Sequence, residues 1–244
     1  MRIATWNLNN RVGKVRFRLE AAHAAIALDA DVLVFTEFFP QQFESRFRTT
    51  LDNAGWSQQI MSAQPKEVAN RILVASKLPL APLSIDLPTF DQQFPANLLG
   101  VRFPSLGISV LSVRVPAYSG KSAHLLSHAW EWLEVTAASL SSSPSVVIGD
   151  LNVSMSQPSR AGNHFRRIVA SGWQRAAREG ANTFFGHRGK KTEIDHVLAT
   201  SHCILSEATC VQEIGGFVLA GTSNAISDHA ALTCHVELSR PVFK

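Results

Sequence analysis

Residues 146–152 read Val146-Val147-Ile148-Gly149-Asp150-Leu151-Asn152, an apolar run that stops abruptly on a carboxylate and an amide. The run is β-branched and too short for a helix, so it predicts a buried strand. The Ser141-Ser142-Ser143-Pro144 tract before it reads as a loop that ends a helix. The same pattern recurs along the chain. Trp6-Asn7-Leu8-Asn9 ends a strand predicted from Ile3, and Phe35-Thr36-Glu37 ends the apolar run introduced by Asp31. Ile194-Asp195-His196 belongs to a strand predicted over 193–198, and Ser227-Asp228-His229 opens a final strand over 230–238. A single acidic residue at a strand end is ordinary, because Asp and Asn form turns. Repeated ends of this kind predict one polar site at the edge of the sheets, where loops converge.

Between these strands the apolar spacing predicts helices over 15–28, 41–51, 121–140 and 160–170. The first carries Phe17, Ala21, Ala24, Ala25 and Leu28 on one face; the third carries Leu126, Trp130, Leu133, Ala137 and Leu140. Pro and Gly separate further strands predicted at 56–63, 71–76, 83–87, 97–103, 108–115 and 205–211. There is no internal repeat and no long low-complexity linker, so one domain over 1–244 is expected, with sheets covered by helices.

The bulk numbers exclude several classes. The chain has 244 residues, 45% of them hydrophobic and 17% charged, which is enough apolar content for a large core and unlike a disordered chain. A net charge of +4 favours polyanionic partners by long-range attraction. The three cysteines, Cys203, Cys210 and Cys234, show no CxxC spacing, and buried thiols in a reducing compartment are expected rather than zinc or disulfides. No signal peptide and no bilayer-length apolar run is read, so the expected location is cytoplasmic, with no membrane and no obligate protein partner.

The residue types gathered at the strand ends suit one chemistry. Hard oxygen ligands such as Glu37 and Asp228 favour Mg²⁺ or Mn²⁺. Asp150 and Asn152, two residues apart on one strand, would face the same side and hold an attacking water. Asp195 would orient His229 and raise its basicity beside a phosphate.

With those residues in view, the chain resembles the endonuclease/exonuclease/phosphatase superfamily. The matching segments are ATWNLN (4–9), DVLVFTE (31–37), NRILVASKLPL (70–80), SVRVP (112–116), VVIGDLN (146–152), NTFFG (182–186), EIDHVL (193–198) and SDHAAL (227–232), in family order over nearly the whole chain. The resemblance implies a four-layer α/β/β/α sandwich, with two mixed β-sheets packed face to face. It implies Glu37 as principal metal ligand with Asn7 beside it, and Asp228 at or near a second metal position. Asp150 and Asn152 would position or deprotonate the water, while His229, oriented by Asp195, would contact the phosphate. Asn9 is a candidate substrate contact.

Departures from the family pattern are specific. Many nuclease members carry Tyr or His where this chain has Arg114, whose guanidinium still suits phosphate. The segment before Asp195 reads Lys191-Thr192-Glu193-Ile194, where the abasic-site branch usually has a Trp-Arg pair, and Ala69-Asn70 stands where a glycine is often found.

Other features carry rival readings. Arg188, Lys190 and Lys191 lie in a Gly-containing loop before the Asp195 strand, and phosphate contact stands against a solvated surface. Arg160, His164, Arg166 and Arg167 are expected on a charged helix face. His124 and His128, four apart, lack an evident third zinc ligand. Gly120-Lys121-Ser122 mimics a P-loop tail without its first glycine. Trp173, Phe184 and Phe185 are expected in the core, with base stacking as the alternative, and Tyr118 lies in a Pro/Gly loop. The leading expectation is a Mg²⁺- or Mn²⁺-dependent nuclease. The alternatives are a phosphatase or phosphodiesterase of a small molecule or lipid headgroup, and a binding module without catalysis.

Overall fold

In the computed structural model the described residues are 1–10, 18–64, 70–176 and 181–239. Val15–Phe17 of the first predicted helix, and Ala69, lie outside them. One six-stranded sheet is built from β1 (Arg2–Asn7), β2 (Val32–Phe38), β3 (Gln58–Met61) and β4 (Arg71–Ser76), with later strands added below. The second begins with β5 (Ala81–Pro82), β6 (Leu98–Phe103), β7 (Ile108–Val113) and β8 (Ser145–Asp150). Then follow β9 (Gln174–Arg175), β10 (Phe184–Phe185), β11 (Lys191–Thr192), β12 (Asp195–Ala199), β13 (Cys203–Val211), β14 (Glu213–Ile214), β15 (Phe217–Val218) and β16 (Ala231–Leu238). The helices are α1 (Glu20–Ala27), α2 (Glu44–Asn53), α3 (Leu125–Leu140) and α4 (Arg160–Ala170).

The first sheet runs β13-β16-β1-β2-β4-β3 and the second β5-β6-β7-β8-β12-β9. Both are mixed. In the first, β1 and β2 are parallel, joined across α1; in the second, β7 and β8 are parallel, joined across α3. The remaining neighbours in both sheets are antiparallel.

Strand alternation sorts the side chains into layers. Ile3, Val32, Val34, Ile72 and Val74 of the first sheet meet Val101, Val110, Val146, Ile148 and Val197 of the second. The opposite faces carry Ala4, Trp6, Leu33 and Phe35 against α1 and α2, and Leu111, Val147 and Leu198 against α3 and α4. The result is helix, sheet, sheet, helix. Each such Val, Leu or Ile contributes about 1.5–3 kcal/mol by burial, which fixes strand register, since a one-residue slip would turn the whole stripe outward.

That stripe also places the polar groups. Counting by two along β1 gives Ile3, Thr5 and Asn7; along β8 it gives Val146, Ile148 and Asp150; backward along β12 it gives Ala199, Val197 and Asp195. Asn7, Asp150 and Asp195 therefore continue the inner apolar stripe at one end of the sandwich, and all are buried.

One predicted strand is corrected by the tertiary structure. The strand expected over 83–87 is reduced to Ala81–Pro82 plus one further bond, Leu83 N–H to Gly100 O at 3.0 Å. The loop expected around 186–191 is found as the turn of a hairpin pairing β10 with β11, exposed at Arg188, Gly189, Lys190 and Lys191.

Candidate active site

The centre of the site is a chain of buried hydrogen bonds that crosses from one sheet to the other. Asn7 Nδ2 on β1 donates to Asp150 Oδ2 on β8 at 2.9 Å. Asp150 and Asp195 are paired residues of the β8–β12 ladder. His229 Nδ1 lies 2.8 Å from Asp195 Oδ2, so the Nδ1–H donates to the carboxylate and Nε2 is left as the reactive edge. Asp195 Oδ1 is buried with no hydrogen-bond partner among the described residues.

Backbone anchors hold these side chains. Trp6 Nε1 donates to His229 O at 2.8 Å. The Ser227 hydroxyl donates to Asn7 O at 2.7 Å and accepts from His229 N at 3.1 Å. Thr183 Oγ1 accepts from both Ile194 N and Asp195 N, at 3.0 and 2.9 Å. The Phe184 ring stacks obliquely on His229, with centroids 5.1 Å apart. Trp6, Thr183 and Ser227 were present in the quoted motifs, but their roles depend on contacts between segments far apart in sequence.

Asn152 is placed differently from the expectation. The strand β8 ends at Asp150, and Asn152 has φ +51° in a turn beyond it. It reaches Asp150 by folding back: its N–H donates to Oδ1 at 3.0 Å and its Nδ2 to Oδ2 at 3.1 Å. Strand alternation is replaced by a side-chain-capped turn. Gly149 allows the close packing there. Its φ is +137°, and a Cβ would sit 2.1 Å from Val113 O.

Glu37 lies at an irregularity in the β2–β4 ladder between Phe35 and Phe38, with φ +51°. Left-handed backbone at a non-glycine residue costs on the order of 1–3 kcal/mol, so the surrounding bulge must hold it. Arg114 approaches one Glu37 oxygen, Oε1, with Nε at 3.1 Å and Nη2 at 2.7 Å. Its Nη1 meets Asn97 Oδ1 at 3.3 Å. Asn10 Nδ2 lies 3.3 Å from the other oxygen, Oε2.

A cleft of about 390 Å³ exposes this set, with Glu37, Arg114, Asp150, Asn152, Asp228 and His229 among its walls. Asn9 and Lys190 line it as well. Lys191 lines the adjoining groove, and Arg188 is exposed on the hairpin turn with φ +61°. The structure thus draws together the residues singled out at the five strand ends.

Charge is unevenly distributed in this pocket. Burial, and then the Asp195 charge, push the Asp150 carboxyl up to about 7. Burial works against a charged His229, but the Asp195 carboxylate, with Asp150 and Asp228 behind it, lifts the imidazole to about 9.

Two donor sets are candidates for a cation. One ligand atom each of Asp150, Asp195 and His229 lies within 4.8 Å of the others. The His229 Nδ1–H engages Asp195 Oδ2 and the amides donate to both Asp150 oxygens, which leaves Asp195 Oδ1 and His229 Nε2 as the open donor atoms of this set. Glu37, Asn7 and Asp228 offer a second, all-oxygen set of the kind a hard divalent ion takes; Arg114 and Asn10 engage Glu37, Asn9 N–H engages Asn7 Oδ1, and Asp228 is open to the cleft with its side chain 38% exposed.

Other expectations resolve outside the cleft. The group on α4 is internally paired: Arg167 Nε and His164 Nδ1 each lie 2.7 Å from Glu134, and His164 is buried rather than on a solvated face, because α3 supplies the carboxylate. Arg166 Nη1 donates to Met155 O at 2.7 Å. His124 and His128 join no metal-binding cluster among the described residues. Tyr118 donates to Asp91 Oδ2 at 2.6 Å, Trp173 is buried, and Phe184 and Phe185 are half-buried at the site rather than in the core. Cys203 and Cys234 are buried and all three thiols are free. Among the described residues, no helix is long and apolar enough to cross a membrane.

The architecture matches solved structures of low sequence identity. A 3′ phosphatase, NExo from Neisseria, solved with a product DNA hairpin, superposes with a TM-score of 0.77 at 20% identity, covering 97% of this chain and 99% of that one. An AP endonuclease from Archaeoglobus fulgidus gives 0.74 at 17%, covering 98% and 100%. TDP2 from Caenorhabditis elegans gives 0.68 at 14%, covering 98% and 74%. No curated protein sequence matches significantly. The sequence profile of the Endonuclease/Exonuclease/phosphatase family matches residues 4–229, which takes in every segment that builds the cleft from Asn7 to His229, and the chain belongs to that family.

Proposed function

We propose that this protein is a divalent-metal-dependent nuclease that hydrolyses phosphodiester bonds by in-line attack of water. The observation that supports this most directly is the His229–Asp195 pair at 2.8 Å beside Asp150, in a cleft that also holds Glu37 and Arg114. The pKa directions divide the labour. An imidazole lifted to about 9 is cationic at neutral pH and serves as a donor to phosphate oxygen. A carboxyl near 7 is poised to accept a proton from water, and the Asn7 and Asn152 amides fix its orientation. Arg114 adds a fixed positive charge for the phosphoryl oxygens. Bound Mg²⁺ or Mn²⁺, held by Glu37 with Asn7 beside it and with Asp228 at or near a second metal position, would offset charge building on the phosphoryl group.

Nucleic acid is favoured as substrate by the net charge of +4 and by Lys190 at the cleft wall. The structural neighbours include a phosphatase crystallised with DNA and an AP endonuclease, which is consistent with that choice. The test is a panel of plasmid DNA, oligonucleotides, inositol phosphates and sphingomyelin, with Mg²⁺ or Mn²⁺ and with EDTA. Cleavage of nucleic acid that EDTA abolishes is expected. Turnover confined to the small substrates would overturn the reading. Glu37→Ala, Asp150→Asn and His229→Ala should each lower turnover by orders of magnitude with the fold intact.

A further inference from the structure

The catalytic cleft does not close behind Asp228. Asn9, Lys190 and Asp228 are shared with a second, larger groove of about 640 Å³, whose far wall is the 221–223 loop. A small phosphate ester would be accommodated by the cleft alone, so the second groove is surplus to that chemistry.

Its lining has a definite character. Phe185 presents a half-buried ring with Lys191, its cross-strand partner, over one face, Nζ 5.8 Å from the ring centre, which leaves the opposite face for a base. Lys190 stands at the junction with the cleft, and the exposed Thr222 and Ser223 carry hydroxyls. Asp228, at the junction, is the one acidic residue in this lining. Gly221, with φ +95°, lies beside the edge of the ring, where an added Cβ would be 3.2 Å from Gln212 Oε1 and 3.6 Å from Phe185 Cδ1. The ring is also registered to the catalytic residues, because Phe185 N–H donates to Asp228 O at 2.8 Å. An aromatic face beside ammonium groups and hydroxyl donors suits a nucleotide, whose base stacks while its phosphate is neutralised.

We propose that this groove is the subsite for the nucleotide next to the scissile phosphodiester, with its base on Phe185 and its phosphate on Lys190 and Lys191. The proposal rests on the nuclease reading above and narrows the substrate to a polynucleotide with an unstacked base beside the cut. Loss of one stacking contact is worth about tenfold or more in affinity.

The experiment measures binding of a fluorescein-labelled single-stranded oligonucleotide to the full chain in EDTA, where no turnover occurs. Phe185→Ala is expected to weaken binding tenfold or more. Phe185→Trp is expected to retain the affinity, with an indole emission, read as the difference from wild type, that saturating oligonucleotide quenches. Affinity of Phe185→Ala within twofold of wild type, or an unquenched indole in Phe185→Trp, would overturn the subsite. The nuclease reading is scored separately, by cleavage of the same oligonucleotide by wild type in Mn²⁺. Cleavage with Phe185-independent binding removes the groove alone; no cleavage and no binding removes both.

Discussion

Arg114 and Glu37 form a two-nitrogen contact on a single carboxylate oxygen, Nε at 3.1 Å and Nη2 at 2.7 Å from Oε1, inside the cleft of the candidate site. Both side chains are largely buried, at 17% and 16% exposure, so water screens the pair weakly. A guanidinium in this seat competes for the carboxylate with any cation that Glu37 holds, and it is drawn off by an incoming phosphate.

Arg114→Gln is therefore expected to bind Mn²⁺ more tightly than wild type without substrate, by about 5- to 100-fold. In wild type, a non-hydrolysable phosphorothioate oligonucleotide should tighten Mn²⁺ binding, and by reciprocity Mn²⁺ should tighten binding of the oligonucleotide. Isothermal titration of wild type and variant measures both. Equal Mn²⁺ affinities in the two proteins would show that Arg114 and the cation do not compete.

Asp195→Asn removes the charge that lifts His229. Burial is then opposed only by the weaker pull of the Asp150 and Asp228 charges, and the imidazole pKa should fall from about 9. A cationic His229 is present only below its pKa, so the alkaline limb of kcat/KM should move down in pH and activity at pH 8 should drop. An NMR titration of His229 follows the same shift without turnover. An alkaline limb that stays in place would exclude His229 as the titrating donor.

His196 predicts a pH-dependent stability away from the cleft. Burial holds its imidazole down to about 4, and Nε2 donates to Val153 O at 2.7 Å as the neutral ring. The unfolded chain takes up a proton below about 6.5 that the folded chain refuses until about 4. Stability from this group is full above about 6.5 and is lost as pH falls toward 4, by about 2 kcal/mol at pH 5. Urea unfolding at pH 7 and pH 5 should show a smaller difference in His196→Gln than in wild type. Identical slopes would remove His196 as the source.

Gly149→Ala should be among the more damaging single substitutions. The added methyl would fall 2.1 Å from Val113 O, a backbone atom that cannot swing away, at φ +137° where L-residues are strained. A loss of more than about 3 kcal/mol is expected, with Asp150 displaced and turnover reduced beyond the stability effect. Chemical denaturation within about 1 kcal/mol of wild type would contradict the packing described here.

Most of the fold was legible because period-two apolar runs can satisfy a two-faced sheet in one register only. Val146 and Ile148 fix the inner face of β8, and Asp150 follows on that face by geometry alone. The strand expected at 83–87 failed because its apolar residues alternate correctly but find only one backbone partner in Gly100. Asn152 was misplaced because a turn, with φ +51°, imitates in sequence the spacing of a strand.

By itself, then, the sequence determined which residues end the inner stripes, since alternation and hydrophobic burial are local rules. Only the tertiary structure decided that Asn7 reaches Asp150 across two sheets, that Arg114 sits on Glu37, and that Phe185 flanks a groove opening from the cleft. Those contacts join residues 77 to 143 positions apart, or depend on the shape left between loops, and no local pattern encodes either.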